Sequence, residues 1–338
     1  MSPPSKKTIA IVGATGIQGS SVARTFLDLG IWHVRCLTRD PTSPKAGELA
    51  ALHAEVTKAD LDDKESLRRA FEGVHAIFLN TDFWRPYAHA RSNGLDHDTS
   101  VKQAFDIEVR HGRNAADVAA SIPTLERFVY SALGPMKAAS GGKYAASHHW
   151  ETKASIVEYI LARPGLAGKA SFIYLGAYAT NPFLAPRPDP RTGELVCVVP
   201  TGRATRTPII DTAASTGAFV RALVEDEQPG TKLLAYDEYL SLQSVVDAWS
   251  AVSGEEVKLI SMTMEDMARA TGIPEEVLGG LAFIGEFGYC AGLENVIEPA
   301  QLKKEIPCQS FKTWLEKQDL RGLMSGAGET MTAAGAPS

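Results

Sequence analysis

The stretch Thr8-Ile-Ala-Ile-Val12-Gly13-Ala-Thr-Gly16-Ile-Gln-Gly19 joins a short β-branched run to three glycines spaced three residues apart. Val22, Phe26 and Leu29 follow at helical spacing, which places the glycines between a strand and a helix. A chain making that turn must reverse sharply, let its backbone approach a bulky group, and pack the helix closely on the strand. Each demand favours a residue without a side chain. The unpaired amides and partial positive charge at such a helix start suit a diphosphate. The expectation is therefore a dinucleotide-binding turn rather than a plain strand-to-helix corner.

The alternation continues through the first half. Residues 33–37, 55–59, 76–79, 127–130 and 171–175 read as strands. Residues 17–29, 46–53, a segment around Leu67 and Phe71, 109–120 and 152–161 read as helices. Strands separated by helical crossovers imply an α/β fold, a Rossmann-type doubly wound parallel sheet covered on both faces, here over residues 1–180. Four prolines in 182–190 break the pattern, since each removes an amide donor. Beyond them, a strand at 196–199 and helices at 241–253, 274–281 and 311–317 suggest a smaller C-terminal α+β substrate lobe over 181–322. That lobe is expected to pack over the sheet's carboxyl edge and to return some segments to the first domain. Residues 323–338, rich in Gly, Ala, Ser and Thr, read as a flexible tail.

The bulk properties exclude several classes. With 338 residues, 44% hydrophobic and 22% charged, the chain has the makeup of a globular protein with a sizeable core. A net charge of −6 argues against a partner held by phosphate neutralisation, so no direct nucleic-acid binding is expected. Cys36, Cys197, Cys290 and Cys308 form no C-x-x-C pair and read as reduced thiols of an intracellular protein. The first seven residues are polar, and no apolar run is long enough to span a bilayer. The expected setting is cytoplasmic, off the membrane, with nuclear access left open. His, Cys and acidic residues show no metal-ligand spacing, and there is no G-x-S-x-G elbow, so neither a metal nor a serine nucleophile is expected.

The second strand ends in Leu37-Thr38-Arg39-Asp40. Arg39 stands twenty positions after Gly19, where an NAD enzyme carries an acid for the ribose hydroxyls. A guanidinium there can bind a 2′-phosphate through two charge-assisted hydrogen bonds, which favours NADP(H). Asp40, one residue on, is the competing feature. Asp60 and Leu61, after the third strand, are adenine-side candidates. Asn80, Thr81 and Phe83, after the fourth, are candidates for the phosphates and nicotinamide ribose; the alternative for all of these is ordinary loop structure.

Asp82-Phe-Trp-Arg-Pro-Tyr-Ala-His89 gathers acid, base and aromatic groups just past a strand's carboxyl end, where open α/β sheets bind ligands. Trp84 and Tyr87 can stack on a flat substrate, and Asp82 can pair with a cationic amine or relay a proton. The other reading is a solvated loop with aromatic anchors. Tyr178, after the sixth strand, is a further candidate for the pocket wall.

The glycine motif, Thr38-Arg-Asp-Pro41, Ala59-Asp-Leu-Asp-Asp63 and Asn80-Thr-Asp-Phe-Trp84 together resemble the NmrA-like family, atypical short-chain dehydrogenase/reductases that include fungal nitrogen regulators and NADPH sensors. The likeness continues through Phe128-Val-Tyr-Ser131, residues 149–153, Asn181, Thr271-Gly-Ile-Pro274 and Phe311-Lys-Thr-Trp314, covering roughly residues 5–320. The resemblance implies an NADP-preferring Rossmann domain in which Gly13, Thr15, Gly16, Ile17, Gln18, Gly19 and Arg39 hold the cofactor. It also implies a ribose-side role for Lys153 and places Ser131 where reductases keep a serine. The departure lies four residues before Lys153: a conventional short-chain dehydrogenase has a tyrosine there, and this chain has His149. In the conventional arrangement the lysine lowers the phenol's pKa so that it can exchange a proton during hydride transfer. His149 can replace that acid; Tyr144 and His148 are other local donors. Otherwise the two histidines are packing and capping residues at a helix start.

Three functions remain open on the sequence. One is an NADPH-dependent reductase of a small, aromatic metabolite. Another is an enzyme that retains NADP as a structural element and performs acid/base chemistry such as iminium formation, cyclisation or isomerisation. The third is an NADPH-sensing regulator that changes a protein partner with cofactor state. All three rest on Arg39. Arg39→Ala is expected to lower the affinity ratio of NADP to NAD in paired calorimetric titrations, and an unchanged ratio would contradict the 2′-phosphate assignment.

Overall fold

The computed structural model describes residues 6–325. Its strands are β1 (Lys7–Val12), β2 (Trp32–Thr38), β3 (Glu55–Lys58), β4 (Ala76–Leu79), β5 (Arg127–Ala132), β6 (Ala170–Leu175), β7 (Ala177–Tyr178), β8 (Arg187–Pro188), β9 (Leu195–Val199), β10 (Arg206–Ile210), β11 (Lys232–Ala235), β12 (Glu238–Ser241), β13 (Val257–Ser261) and β14 (Val296–Ile297). The helices are α1 (Ile17–Leu29), α2 (Pro44–Ala51), α3 (Lys64–Phe71), α4 (Trp84–Ser92), α5 (His97–Ala120), α6 (Met136–Ala139), α7 (His148–Leu161), α8 (Pro164–Ala167), α9 (Thr212–Arg221), α10 (Leu242–Ser253), α11 (Met264–Thr271), α12 (Glu275–Phe287), α13 (Phe311–Leu315) and α14 (Leu320–Ser325).

Eight strands form one parallel sheet in the order β14-β11-β6-β5-β4-β1-β2-β3. The order reverses between β1 and β4, so the carboxyl ends of those two strands open the crevice where this architecture binds ligands. Both faces are covered, and the strand residues divide between them by alternation. Ile9 and Ile11 of β1 enter one apolar layer while Ala10 and Val12 enter the other; in β6, Phe172 and Tyr174 lie opposite Ile173 and Leu175. This is why the strands read as near-continuous apolar runs.

The second half returns to the large sheet twice, through β11 beside β6 and β14 beside β11. Helix α9 crosses α1 at a glycine: a Cβ on Gly217 would lie 2.4 Å from the Ser21 carbonyl oxygen, and the Gly217 amide donates to the Ser21 hydroxyl at 3.0 Å. A separate core gathers Leu195, Cys197, Val199, Trp249, Phe311 and Trp314 around the two three-stranded sheets β12-β10-β7 and β13-β9-β8. The proline-rich segment is anchored there, because the Trp249 indole donates to the Leu184 carbonyl at 2.7 Å.

Several segments differ from expectation, among them α5, which starts at His97 rather than at 109. The stretch 82–89, for which a solvated loop is the other reading, enters the helix α4, and the Phe83 and Tyr87 rings pack with Val101 and Ala104 of α5. Helix α12 runs on to Phe287 rather than stopping at 281, burying Ala282, Phe283 and Ile284. Residues 323–325, assigned from composition to a flexible tail, are helical, and the Arg187 guanidinium donates to the carbonyls of Leu323 at 3.0 Å and Met324 at 2.6 Å. That cation at a helix carboxyl end supplies what local composition does not show. The rest of the expected tail, 326–338, lies outside the described residues. No helix among the described residues is long and apolar enough to cross a membrane.

Candidate functional site

Strand β1 ends on Gly13, whose φ of +78° is the left-handed conformation that favours glycine. The Gly16 amide closes the turn on the Gly13 carbonyl at 3.0 Å. Gly16 caps α1 without any side-chain bond, which leaves the first-turn amides for a ligand. Gly19 sets the depth of the turn: a Cβ there would fall 2.2 Å from the Gly13 oxygen. Across the crevice, Asn80 at the end of β4 lies against Gly13, 3.7 Å from where a Cβ of that glycine would stand. Thr15, Gly16 and Ile17 are half-exposed along the opening. Gln18, buried in the same turn, donates to the Tyr178 hydroxyl at 2.6 Å while its Oε1 is buried with no hydrogen-bond partner among the described residues.

Arg39 follows β2 and Arg85 lies in the first turn of α4, after β4; those two strands flank β1, and Arg39 feels the Arg85 charge. Neither has an ion-pair partner among the described residues. Partial burial, and then the Arg85 charge, hold Arg39 below its ordinary value. Asp40, the competing acid, is turned away from this role, because its Oδ1 accepts from the Thr42 amide at 2.9 Å and hydroxyl at 2.6 Å. Those bonds keep its carboxyl below the usual range. An uncapped helix start and two unpaired cations are a donor set that fits a dinucleotide with an extra phosphate.

The other expected residues sort into separate groups. Asp60 and Leu61 shape the turn after β3: Asp60 Oδ1 accepts from the Asp62 amide at 2.9 Å, and the Leu61 carbonyl accepts from Asn114 at 2.8 Å. Asp60, Asp62 and His111 bring ligand atoms within 4.8 Å of one another, but Asp62 is already paired with Arg110 at 2.7 Å. Asp82 caps α4, its Oδ1 accepting from the amides of Trp84 at 2.9 Å and Arg85 at 3.2 Å. Tyr87 is 1% exposed and its hydroxyl pairs with His97 at 3.0 Å, which commits it to the packing of α4 on α5. Ser131 is buried near the end of β5. The Tyr144 hydroxyl donates to Glu286 of α12 at 3.0 Å; burial, then that carboxylate, push the phenol up to about 12.

Lys153 belongs to a buried network. Its Nζ lies 2.9 Å from the Thr81 carbonyl, 3.3 Å from the Thr81 hydroxyl and 3.1 Å from Glu108, a carboxylate with no exposure at all. Glu108 accepts further bonds from Thr81 at 2.7 Å and Thr152 at 2.5 Å, and the Tyr130 hydroxyl pairs with Thr81 at 3.0 Å. Lys153 therefore pins the segment after β4 to α5 and α7. The Thr81 side chain is spent on this network rather than held free for a ligand.

His149, one helical turn before Lys153, faces the aromatic cluster. Its ring lies 4.9 Å from Trp84 and 6.1 Å from Phe83. Behind it stands Glu276 of α12, only 1% exposed. The two carboxylate oxygens accept from the backbone amides of His148 at 2.8 Å and His149 at 2.9 Å. They also accept from both Nδ1 atoms, at 3.0 Å for His148 and 2.5 Å for His149. Burial alone would raise Glu276, but those bonds outweigh it and hold the carboxyl at about 2.

Three groups here escaped the sequence reading. Arg85 lay inside a stretch already singled out. Glu108 carries no sequence mark, being one acid in a long amphipathic helix. Glu276 resembles any acid in a helix's first turn, where the dipole favours it.

An eight-stranded parallel sheet with a glycine turn at its reversal defines a dinucleotide-fold α/β protein. The chain belongs to the NmrA-like family, which it matches over residues 5–315. It is 30% identical over 285 residues to the NmrA-like family domain-containing oxidoreductase cpsB of Aspergillus campestris, covering 80% of each chain. Among solved structures it is similar to the negative transcriptional regulator NmrA in complex with NADP, with a TM-score of 0.67, 20% identity, and 96% and 98% of the two chains covered. It is also similar to the pinoresinol-lariciresinol and phenylcoumaran benzylic ether reductases, with a TM-score of 0.69, 16% identity, and 92% and 99% covered. At those identities the structural likeness speaks for the fold.

A carboxyl held down in the folded state adds stability above its ordinary value of 4.5, and that gain disappears as pH falls toward about 2. The drop corresponds to on the order of 3 kcal/mol. His148, raised chiefly by its bond to Glu276, contributes in the opposite sense: fully below 6.5, then lost as pH rises through its folded value. Glu276→Gln should therefore lose most stability between about 4.5 and 6.5, with the deficit closing toward pH 2 in acid-unfolding curves. A gap that stays constant down to pH 2 would contradict the charged pairing.

Proposed function

We propose that this chain is an NADP(H)-dependent oxidoreductase that reduces a small, aromatic metabolite. The observation that carries the reading is the meeting, beside the β1/β4 crevice, of an imidazole held by a buried carboxylate and an aromatic wall. The site also has the unpaired donors a phosphorylated dinucleotide needs. The relative from Aspergillus campestris is itself named an oxidoreductase, and the NmrA structure was solved with NADP, which supports the same class.

In this reading Gly13, Thr15, Gly16, Ile17, Gln18 and Gly19 cradle the diphosphate with main-chain amides, and Asn80 borders it from β4. Arg39, with Arg85 beside it, takes the 2′-phosphate. When bound, the nicotinamide supplies a hydride; the chemistry is the cofactor's. The protein's part is to supply the proton that completes reduction of a carbonyl or imine, and in this reading His149 supplies it, supported by its contact with the Trp84 ring. A positioned acid contributes about 10²–10⁴-fold to such a step. Trp84 and Tyr178 line the approach, and Trp84, whose ring is not fully buried, offers a face for a flat substrate. Lys153 acts chiefly by fixing the segment after β4 and by lending a positive charge near the ribose side. A small-molecule substrate is the expected partner. The setting we propose is cytoplasmic.

Loss of NADPH absorbance across a panel of aromatic carbonyls, imines and enones tests this. Turnover is expected for at least one class, and His149→Phe should lower it by about 10²-fold or more while leaving NADPH affinity within about twofold. Substrate conversion with NADP⁺ and NADPH alike, and no cofactor consumed, would replace the redox reading with an acid/base enzyme that retains NADP. Binding of NADPH with no conversion in any panel would leave the sensor reading.

A further inference from the structure

Helix α7 begins without help from its own sequence. Its N-cap, Ser147, makes no side-chain cap bond, and the Ser147 hydroxyl is buried with no partner among the described residues. The missing cap comes from 128 residues further along the chain, through the bond between the His148 amide and Glu276. Close docking of α12 makes this reach possible. A Cβ on Gly279 would stand 2.5 Å from the Ser147 hydroxyl, and one on Gly280 would stand 3.3 Å from the Trp150 indole nitrogen. Two consecutive glycines thus let α12 lie against the start of α7 with Glu276 pointing into it.

Capping explains two of the four bonds that Glu276 accepts. It does not explain the other two, to the imidazoles. Capping a helix start needs no charge: a neutral side-chain oxygen does it without the several kcal/mol it costs to bury a carboxylate. A carboxylate only accepts hydrogen bonds. Both Nδ1 atoms must therefore carry protons, and in His149 this leaves Nε2 as the atom able to exchange one. A buried acid that fixes the tautomer of an imidazole and stabilises its charged form is the arrangement by which histidines are made into reliable acid/base groups.

We propose that Glu276 is the positioning residue of the candidate site: it keeps a proton on His149 Nδ1 and leaves Nε2 as the atom that gains and gives up the exchanged proton, so the C-terminal lobe completes the proton-exchanging group of the N-terminal domain. This rests on the oxidoreductase reading above and extends it. Charged and titratable groups approach His149 from each element packed around it. His148 and Lys153 lie on its own helix and Glu276 on α12. Glu108 on α5 is linked through Thr152, whose hydroxyl bonds both Glu108 and the His149 carbonyl. Tyr87 on α4 feels the Glu276 charge. Among these, Glu276 is the group bonded to the His149 ring.

Replacing the carboxylate by a carboxamide has a defined consequence. Glutamine presents one accepting and one donating end, so it cannot receive protons from both imidazoles. His148 Nδ1 also faces the Ala146 carbonyl at 2.7 Å and must keep its proton; His149 is the ring that has to switch. Ring ¹⁵N NMR of the full chain reads this directly, with signals assigned from His148→Gln and His149→Gln. Wild-type His149, in its neutral form, is expected as the Nδ1–H tautomer and is expected to become Nε2–H in Glu276→Gln. His148 should titrate closer to its ordinary 6.5 in the variant. An Nε2–H tautomer in the wild-type protein would overturn the proposal, whether or not the variant folds; so would a folded Glu276→Gln protein whose His149 signals match the wild type. Adding NADP⁺ separates this from the broader reading. If His149 is held as described but its signals ignore the cofactor, Glu276 keeps its assignment and the placement of His149 at the nicotinamide end fails.

Discussion

A contact that only hydrogen can make sets the geometry of the molecule's working end. Helix α1 lies so close beneath the β1 turn that a methyl group on Gly19 would sit 2.2 Å from the Gly13 oxygen, well inside van der Waals distance. That approach brings the uncapped start of α1 to the reversal of the sheet, where β1 and β4 part company. It leaves the first-turn amides facing the crevice, with Arg39 and Arg85 following the strands on either side. It also fixes Gln18, and through its bond to the hydroxyl it fixes Tyr178, the residue that leads into the C-terminal lobe. An alanine at position 19 would be the better helix former by up to about 1 kcal/mol. The steric cost of overpacking at such a point, about 1–3 kcal/mol, decides in favour of glycine.

Two buried carboxylates organise the other side of the crevice, with different effects. Glu108 is consumed internally: Lys153, Thr81 and Thr152 satisfy it, and together they lock the segment after β4 in place. Breaking such a buried pair costs about 3–5 kcal/mol, so Lys153 carries structural weight whatever its part in chemistry. Glu276 is instead bonded to two imidazoles, and one of them borders the aromatic cluster. Where a conventional short-chain dehydrogenase has its tyrosine and lysine, this chain has a histidine bonded to Glu276 and a lysine bound into the Glu108 network.

What could be read in the amino-acid sequence follows from range. The glycine turn, strands β1 to β6, and helices α1, α2, α3, α7 and the second half of α5 were legible because their signals are local: alternating burial, helical spacing, and glycines at a corner. Arg39 was singled out because a fixed offset from the turn marks that position as the ribose side of a dinucleotide. The helix α4 was not legible, because what makes it helical is the packing of Phe83 and Tyr87 on α5, a contact between segments. Glu108 and Glu276 were invisible for the same reason. Each is one acid among many, and its partners lie 44 residues away at Thr152 and 127 at His149. Strands β11 and β14 pair with the large sheet across long stretches of sequence, which no local pattern announces.

The account depends most on the glycine turn holding a dinucleotide, and calorimetric titration of NADPH into wild type and Gly19→Ala, with thermal melting of both, tests it most directly. Micromolar-class binding by the wild type is predicted. The variant should stay folded and bind at least about tenfold more weakly, which is about 1.4 kcal/mol, although alanine favours the helix. A folded variant that binds as the wild type does, or a wild type that takes up no NADPH, would contradict it.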